Sequence, residues 1–167
     1  RGGINMKLYI KQKVFSWVDR FTVFDETGAD KYHVEGEFFS WGKKLYVTDL
    51  TGHETAFIQQ KVFSMMPRFF VYIDGVERAE IVKRLTFFYE KYEIEGLDWT
   101  IEGDFWAHEY RITQNGRESV SISKEWFTWG DCYQLDIADS ADETLALAVV
   151  LAIDAVHAQA NAAAAST

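Results

Sequence analysis

Cysteine and proline are nearly absent from this sequence, and their scarcity limits the class of protein. Cys132 is the only cysteine in 167 residues, so no internal disulfide can form, and Pro67 is the only proline. A lone cysteine favours a reducing compartment, so we expect a cytoplasmic protein with Cys132 as a small buried hydrophobe. No Ser/Gly/Pro-rich linker divides the chain. The length and the missing linker predict a single domain.

We place that domain at residues 6–160. Residues 1–5 carry no basic-then-apolar signal pattern, and Met6 looks like the natural start, so we expect residues 1–5 to be a remnant outside the domain. The alanine-rich end beyond Ala158 is typical of a fraying helix end, and we expect residues 161–167 to be a tail.

Basic residues are also in short supply. Lysine and arginine total 17 against 26 aspartates and glutamates, which gives a net charge of −9. A nucleic acid or an anionic bilayer repels such a molecule as a whole, and only a local basic patch could overcome that repulsion. We therefore expect no nucleic-acid partner and at most a weak contact with phospholipid headgroups.

Recognisable catalytic motifs are missing as well. No G-x-S-x-G, P-loop or dinucleotide fingerprint occurs. The carboxylates of Glu102 and Asp104 could share a strand face, but nothing in the sequence fixes their separation, and we expect them to be solvated. The histidines have no metal-ligand spacing; they are His33, His53, His108 and His157. We expect no catalytic residues, no metal and no cofactor.

What the chain does contain is a long run of strand-like segments. From Lys7 to Ile137 apolar and polar residues alternate with a period near two, as in Tyr110 to Thr113. Turn signals separate the segments at regular intervals, and Asn115-Gly116 is a strong hairpin signal. About twelve strands follow from this pattern. Short turns between so many strands favour a meander that closes into a barrel or a sandwich.

The pattern changes after Ile137. Ser140 and Glu143 have the spacing of a capping box, which places the helix N-cap at Ser140. The segment from Leu145 to Ile153 is apolar without interruption, so it must be enclosed on every side. It is about half the ~20 residues that span a bilayer, which favours burial in a protein core. A sheet that wraps the helix provides that enclosure. We interpret Asp154, which interrupts the run, as structural: either it bonds to donors on the barrel or it lies where the helix emerges.

The chain also repeats itself locally. Residues 10–23 return as residues 58–71, with nine of fourteen positions identical at an offset of 48. Shorter repeats have different offsets, so a solenoid is excluded. Similar hairpins around one closed sheet explain the repetition.

Three segments resemble the LURP-one-related family, short bacterial type, within the tubby C-terminal-like and phospholipid scramblase-like superfamily. They are Met6-Lys-Leu-Tyr-Ile-Lys-Gln-Lys-Val-Phe15, Val34-Glu-Gly36 and Asp142-Glu-Thr-Leu-Ala-Leu-Ala-Val-Val-Leu-Ala-Ile-Asp154. The resemblance implies a mainly β fold, a closed antiparallel barrel of about twelve strands around a buried C-terminal α-helix. In this superfamily tubby domains bind phosphoinositides through basic residues, and scramblases carry an acidic calcium segment before the helix. Many LURP-one-related members have no assigned activity.

The resemblance suggests one candidate site, and the placement of basic residues in the sequence suggests another. Asp136, Asp139, Asp142 and Glu143 lie where a scramblase calcium segment falls, but they lack the alternating oxygens and the turn glycine of a calcium loop, so we expect no calcium site. Lys11, Lys13, Lys61 and Arg68 are weak candidates for a basic patch that holds a phosphorylated headgroup. The alternative, which we favour, is that these basic residues belong to a solvated outer face and guard strand edges.

An interior filled by its own helix leaves no lipocalin-like pocket, so any site is on the outside. We therefore expect a non-enzymatic tubby-like module that recognises a protein partner through its surface. Headgroup binding or membrane-associated regulation, an enzyme whose site is invisible in the sequence, and a structural accessory without a small ligand remain the alternatives.

Overall fold

The structure is a computed structural model, and it describes residues 5–11, 20–39, 42–84, 91–104, 107–127, 130–138 and 141–165. Twelve β-strands precede one α-helix in these residues. The strands are β1 (Met6–Lys11), β2 (Arg20–Asp25), β3 (Asp30–Phe39), β4 (Gly42–Asp49), β5 (Glu54–Gln60), β6 (Arg68–Ile73), β7 (Val76–Arg84), β8 (Lys91–Glu95), β9 (Trp99–Asp104), β10 (Glu109–Gln114), β11 (Arg117–Phe127) and β12 (Gly130–Ile137), and the helix is α1 (Glu143–Ala165).

All twelve strands form one antiparallel sheet in the order β8-β7-β6-β5-β4-β3-β2-β1-β12-β11-β10-β9. Strands that follow each other in the chain therefore pair with each other, with β8 and β9 as the exception because they form the two ends of the order. In addition, β1 pairs with β12. The sheet curls into a nearly closed barrel, which confirms the predicted fold. The alternation seen in the sequence has its expected cause, because Leu8 and Ile10 of β1 are fully buried whereas Lys11 is exposed.

Two hairpin turns share one sequence and one set of hydrogen bonds. In Asp25-Glu-Thr-Gly28 and Asp49-Leu-Thr-Gly52, the Asp Oδ1 accepts bonds from the Thr amide, the Thr hydroxyl and the amide four residues after the Asp. These bonds lower the pKa of both carboxyls, with the bond from the Thr hydroxyl as the largest cause. The Asp-x-Thr-Gly motif occurs in both the β2–β3 and the β4–β5 connections because both form the same Asx-type turn.

The helix α1 fills the barrel, as its sequence predicted. Every residue from Leu145 to Ile153 is at most 3% exposed, and these residues form one cluster with the inward-facing strand residues. The helix packs against β5, β6, β7 and β12. Beyond Asp154 it stays buried through His157 and continues to Ala165.

The N-cap differs from the capping box that the sequence suggested. Ser140 lies outside the described residues, and Asp142 caps the helix: its side chain accepts a bond from the Leu145 amide at 3.1 Å, and its carbonyl accepts one from the Ala146 amide at 2.9 Å. Asp is as good an N-cap as Ser, so the helix starts later than the Ser-x-x-Glu spacing indicated. Glu143 instead contacts the barrel, accepting a bond from the Tyr32 hydroxyl at 2.7 Å and pairing with Lys31 at 3.0 Å. Burial, then the bond to Glu143, keeps the pKa of Tyr32 above its usual range.

Gly103 allows β9 to lie close to β10. Its φ is +134°, and a Cβ there would lie 2.6 Å from both Glu109 O and Tyr110 Cα. We expect Gly103→Ala to lower the free energy of unfolding by roughly 3 kcal/mol, because conformational strain and a backbone clash add together. Gly52→Ala is the matched control, since its φ is also positive and nothing lies within 4 Å of the added Cβ. Chemical denaturation of both variants measures the difference, and equal losses would contradict the close approach.

Candidate functional site: the basic end of the barrel

The antiparallel meander has two ends with different charges. The end where β1 stops and β2 starts also carries the β5–β6 and β7–β8 connections, and we call it the basic end. The opposite end carries the turns at Gly28, Gly52 and Gly75 and the start of α1, and it is acidic. Its described acids are Asp25, Glu26, Asp30, Asp49, Glu54, Asp74, Glu77, Glu95, Asp98, Asp142 and Glu143, and its bases are fewer, with Lys7, Lys31, Arg78 and Arg117.

At the basic end, lysines from neighbouring strands form an arc around one loop. We define the basic arc as Lys43, Lys44, Lys61 and Lys83, which come from the start of β4, the residue after β5 and the end of β7. The Lys43 amide donates to Gln60 Oε1 at 3.0 Å, and the Lys83 amide donates to Pro67 O at 3.1 Å. Burial lowers the pKa of the Lys43 ammonium. The backbones of Lys43 and Lys83 are therefore held against the two ends of the β5–β6 loop, one through a side chain and one through a carbonyl.

That loop, residues 61–67, exposes two large apolar side chains, and we call it the Phe63 loop. Phe63 and Met65 are fully exposed, at 104% and 99% of their reference areas. The Lys61 amide closes the loop by donating to Arg68 O at 3.0 Å. Phe63 has φ +60°, and a bulky residue in the left-handed region costs about 1–2 kcal/mol. The fold thus maintains a strained backbone at a residue whose ring is fully exposed.

The four basic-patch candidates are only partly brought together. Lys61 and Arg68 flank the Phe63 loop, whereas Lys11 ends β1, four strands away and so about 19 Å along the sheet. The ammonium of Lys11 lies 5.7 Å from the centre of the Phe24 ring, and that of Lys61 lies 5.9 Å from the Phe70 ring. Arg68 pairs with Glu80 at 2.8 Å with both side chains mostly buried. Lys13 lies outside the described residues.

The described residues of the acidic segment before the helix have separate partners and do not share one site. Asp136 of β12 lies opposite Lys7 of β1 in the register of the two strands. Asp142 caps α1, and Glu143 contacts Lys31 and Tyr32. Asp139 lies outside the described residues. Within the ranges that the structure describes, no three His, Cys, Asp or Glu side chains are grouped as a metal site requires.

A second polar arrangement is buried near the basic end, where α1 meets the two ends of the sheet. Asp154 Oδ1 is 3.0 Å from His108 Nε2 in the turn between β9 and β10, so Asp154 bonds to a donor on the barrel. His157 Nδ1 is 2.8 Å from the hydroxyl of Tyr92 on β8. Burial raises the pKa of Asp154 to about 6, although the bond from His108 opposes the shift. We call Tyr92, His108, Asp154 and His157 the seam cluster.

The outer face also carries a row of aromatic rings on β4, β5 and β6. Tyr46 and Phe57 have ring centroids 5.1 Å apart, and Phe57 and Tyr72 are 5.7 Å apart, each pair directly opposite in register. A hollow of about 400 Å³ beside Tyr46 is lined by Arg20 and His33. Arg20 pairs with Glu35 there, so the hollow has no concentration of one charge. Aromatic pairs on neighbouring strands stabilise a sheet, and this role explains the row of rings.

Sequence reasoning missed Phe63 and the seam cluster for different reasons. Phe63 is an apolar residue beside Val62, and nothing in the sequence marks its ring as exposed. The seam residues are far apart in the chain. A usable signal for the cluster was Asp154 itself, since a carboxylate in an apolar helix requires a donor from elsewhere. Within the described helix, no segment has both the length and the hydropathy that a membrane span requires.

Comparisons with known proteins agree with the fold. The protein YxjI of Bacillus subtilis (strain 168), whose name describes it as uncharacterized, is 38% identical over 151 residues, which cover 90% of this chain and 93% of YxjI. The X-ray structure of an Arabidopsis thaliana protein superposes with a TM-score of 0.67 over 93% of each chain, and its 12% identity supports the fold alone. A family model described as LURP-one-related matches residues 6–154. The predicted resemblance is therefore confirmed, and the chain belongs to the LURP-one-related family.

Proposed function

We propose that this chain is a non-enzymatic binding module that docks through its basic end on an anionic phospholipid surface. The observation that carries the proposal is the full exposure of Phe63 and Met65 inside the basic arc. An apolar loop tip surrounded by lysines is suited to an interface whose headgroups are anionic and whose acyl region is apolar.

The net charge of −9 weakens this docking less than a uniform charge would, because the acidic end holds more carboxylates than the basic end, where the described ones include Glu37, Glu93, Asp104, Glu109 and Glu125. All strands except the five-residue β8 have six to eleven residues and are about 20–35 Å long. Charges in solution are screened over about 8 Å at physiological ionic strength. The acidic end is therefore separated from a surface at the basic end by more than two screening lengths. The sequence-based expectation of at most weak membrane contact left room only for a local basic patch, and we propose the basic arc as that patch.

The expected strength of docking follows from two contributions, the charge of the lysines and the burial of the apolar side chains. Each lysine near an anionic surface adds about 1 kcal/mol. Burying an exposed Phe or Met side chain adds about 1.5–3 kcal/mol. Immobilising the protein and its lysine side chains offsets a large part of the total, so the proposal is for reversible, salt-sensitive docking.

Geometry favours a membrane over the protein partner that the sequence suggested. Phe63 and Met65 lie on one short loop, whereas the other large exposed apolar side chains of the described residues, Leu50 and Val76, are at the acidic end. A protein interface normally needs a contiguous apolar patch with a polar rim. Two side chains on a loop tip are sufficient for shallow insertion into lipid.

Vesicle co-sedimentation tests the proposal with phosphatidylcholine vesicles that either contain or lack phosphatidylserine. We expect the protein to bind only the anionic vesicles and to dissociate at high salt. Phe63→Ser combined with Met65→Ser should abolish binding without lowering the melting temperature, because both side chains are fully exposed. Lys44→Glu combined with Lys61→Glu should do the same by reversing charge in the basic arc.

The matched control removes two exposed apolar side chains from the acidic end, as Leu50→Ser with Val76→Ser, and should bind like the unchanged protein. Phe63→Gly separates a docking role from a structural one: it should lose binding while the free energy of unfolding stays within about 1 kcal/mol, because relieved strain offsets the added unfolded-state entropy. Absence of binding to anionic vesicles, or equal binding by both double serine variants, would overturn the proposal. The protein-partner alternative would then become the leading one.

A further inference from the structure

The barrel has a seam between β8 and β9. These strands are consecutive in the chain but form the two ends of the sheet order, and no ladder joins them in the described residues. A short turn at Gly96 connects them at the acidic end, where a Cβ on Gly96 would lie 2.9 Å from Arg78 O. Toward the basic end the two strands therefore need another connection if the barrel is to stay closed.

The seam cluster supplies that connection through the helix. On one side of the seam, Tyr92 of β8 is bonded to His157. On the other side, His108, which follows β9, is bonded to Asp154 one helical turn before His157. The two sides also share a contact with the helix, since the His157 ring is edge-on to the Tyr92 ring at 6.0 Å and to the His108 ring at 6.2 Å.

Among the described residues, His108 is the group that pairs with Asp154, and the other ionisable side chains around the cluster are those of tyrosines and His157. The His108 ring is stacked on Tyr133 of β12 at 4.4 Å. Tyr110 of β10 is buried, and its pKa is raised first by burial and then by the charge of Asp154. The groups that face Asp154 from the packed elements are therefore His108 and Tyr110, with Tyr133, His157 and Tyr92 beyond them. His108 holds its position with a left-handed backbone, φ +52°.

We infer that the seam cluster is a proton-sensitive latch that holds β8 and β9 together more tightly when Asp154 is neutral than when it is ionised. The physical reason is that opening the seam hydrates the carboxylate. An ionised carboxylate gains more from hydration than a protonated one, so ionisation favours the open seam. This inference is independent of membrane docking, and it concerns a different part of the barrel.

The direction with pH follows from linkage. Asp154 has a folded-state pKa of about 6, above the value near 3.9 of an unfolded chain. The stabilising effect of the bound proton is therefore complete below about pH 4 and is lost as the pH rises through about 6. If opening hydrates Asp154 fully, the pKa shift of about two units corresponds to about a hundred-fold change in the equilibrium constant for opening the seam. Partial hydration would change that constant roughly ten-fold.

Amide hydrogen exchange at about pH 5 and about pH 7.5, corrected for intrinsic rates, tests the latch. We expect amides of β8 and β9 to lose about ten-fold or more in protection at the higher pH, while β3 and β4 change little. Asp154→Asn should remove this pH dependence. Asp74→Asn is the matched control, because Asp74 pairs with His53 at 2.8 Å in an exposed position at the acidic end, and it should leave the pH dependence unchanged.

Three results would overturn the inference: the same pH dependence in Asp154→Asn, a change spread evenly over all strands, or no change in the unaltered protein. Should Asp154→Asn fail to fold, the unaltered protein still gives a decisive measurement. The carboxyl carbon chemical shift of Asp154 should titrate with the same midpoint as the protection of β8 and β9, and different midpoints would exclude Asp154 as the controlling group.

Discussion

Replacing Val150 with Asp is expected to unfold the protein or to bring it close to unfolding. Val150 is 1% exposed at the centre of α1 and is surrounded by strand residues. The added carboxylate has no partner there, and an uncompensated buried charge costs about 3–5 kcal/mol or more, which approaches the 5–15 kcal/mol stability of an ordinary domain. Denaturant titration followed by circular dichroism measures the loss.

The matched control is Val76→Asp, the same substitution at a residue that is 60% exposed. It should change the free energy of unfolding by less than about 0.5 kcal/mol, because a solvated carboxylate pays no desolvation cost. If Val150→Asp melted cooperatively within about 1 kcal/mol of the unchanged protein, the helix could not be the enclosed centre of the barrel.

Removing the helix altogether is expected to abolish the fold. A chain without residues 140–167 exposes the inner faces of all twelve strands, including Phe69, Ile58 and Leu135, which are fully buried in the intact protein. A barrel has no second sheet to cover such faces, so the truncated chain should aggregate, bind a hydrophobic dye and show no cooperative transition.

A shorter truncation separates the helix from its end. Deleting residues 161–167 should leave the melting temperature nearly unchanged, because burial among the described side chains of α1 decreases after His157, with Ala158 and Gln159 only partly buried. A cooperative transition in the chain without residues 140–167 would show that the strands form a stable core by themselves. A large loss from the shorter truncation would place the domain boundary beyond residue 160.

The sequence predicted the elements of this fold because the relevant signals are local. Alternation between Leu8, Ile10 and their polar neighbours reports a sheet with one buried face, and the unbroken apolar run from Leu145 reports a helix with no solvated face. Together these two patterns require a sheet that surrounds a helix, which is the observed barrel. The N-cap was misplaced because Ser140 and Asp142 are equally suitable caps, and local sequence cannot choose between them.

The candidate sites were not predictable in the same way. Lys61 and Lys83 are 22 positions apart in the sequence, and only strand order brings them to the two sides of one loop. A net charge cannot report that acids are concentrated at one end and lysines at the other. Phe63 is apolar like its neighbour Val62, and its full exposure is a property of the folded loop that the Lys61–Arg68 bond closes.

By itself the sequence determined the strands, the enclosed helix and the family, since each follows from residues near one another in the chain or from the order of such segments. Only the tertiary structure decided which charges share an end, which rings are exposed and which partner Asp154 has. The physical reason is that these properties depend on pairs such as His108 and Asp154, 46 residues apart, whose distance is set by sheet register and by how far α1 extends into the barrel.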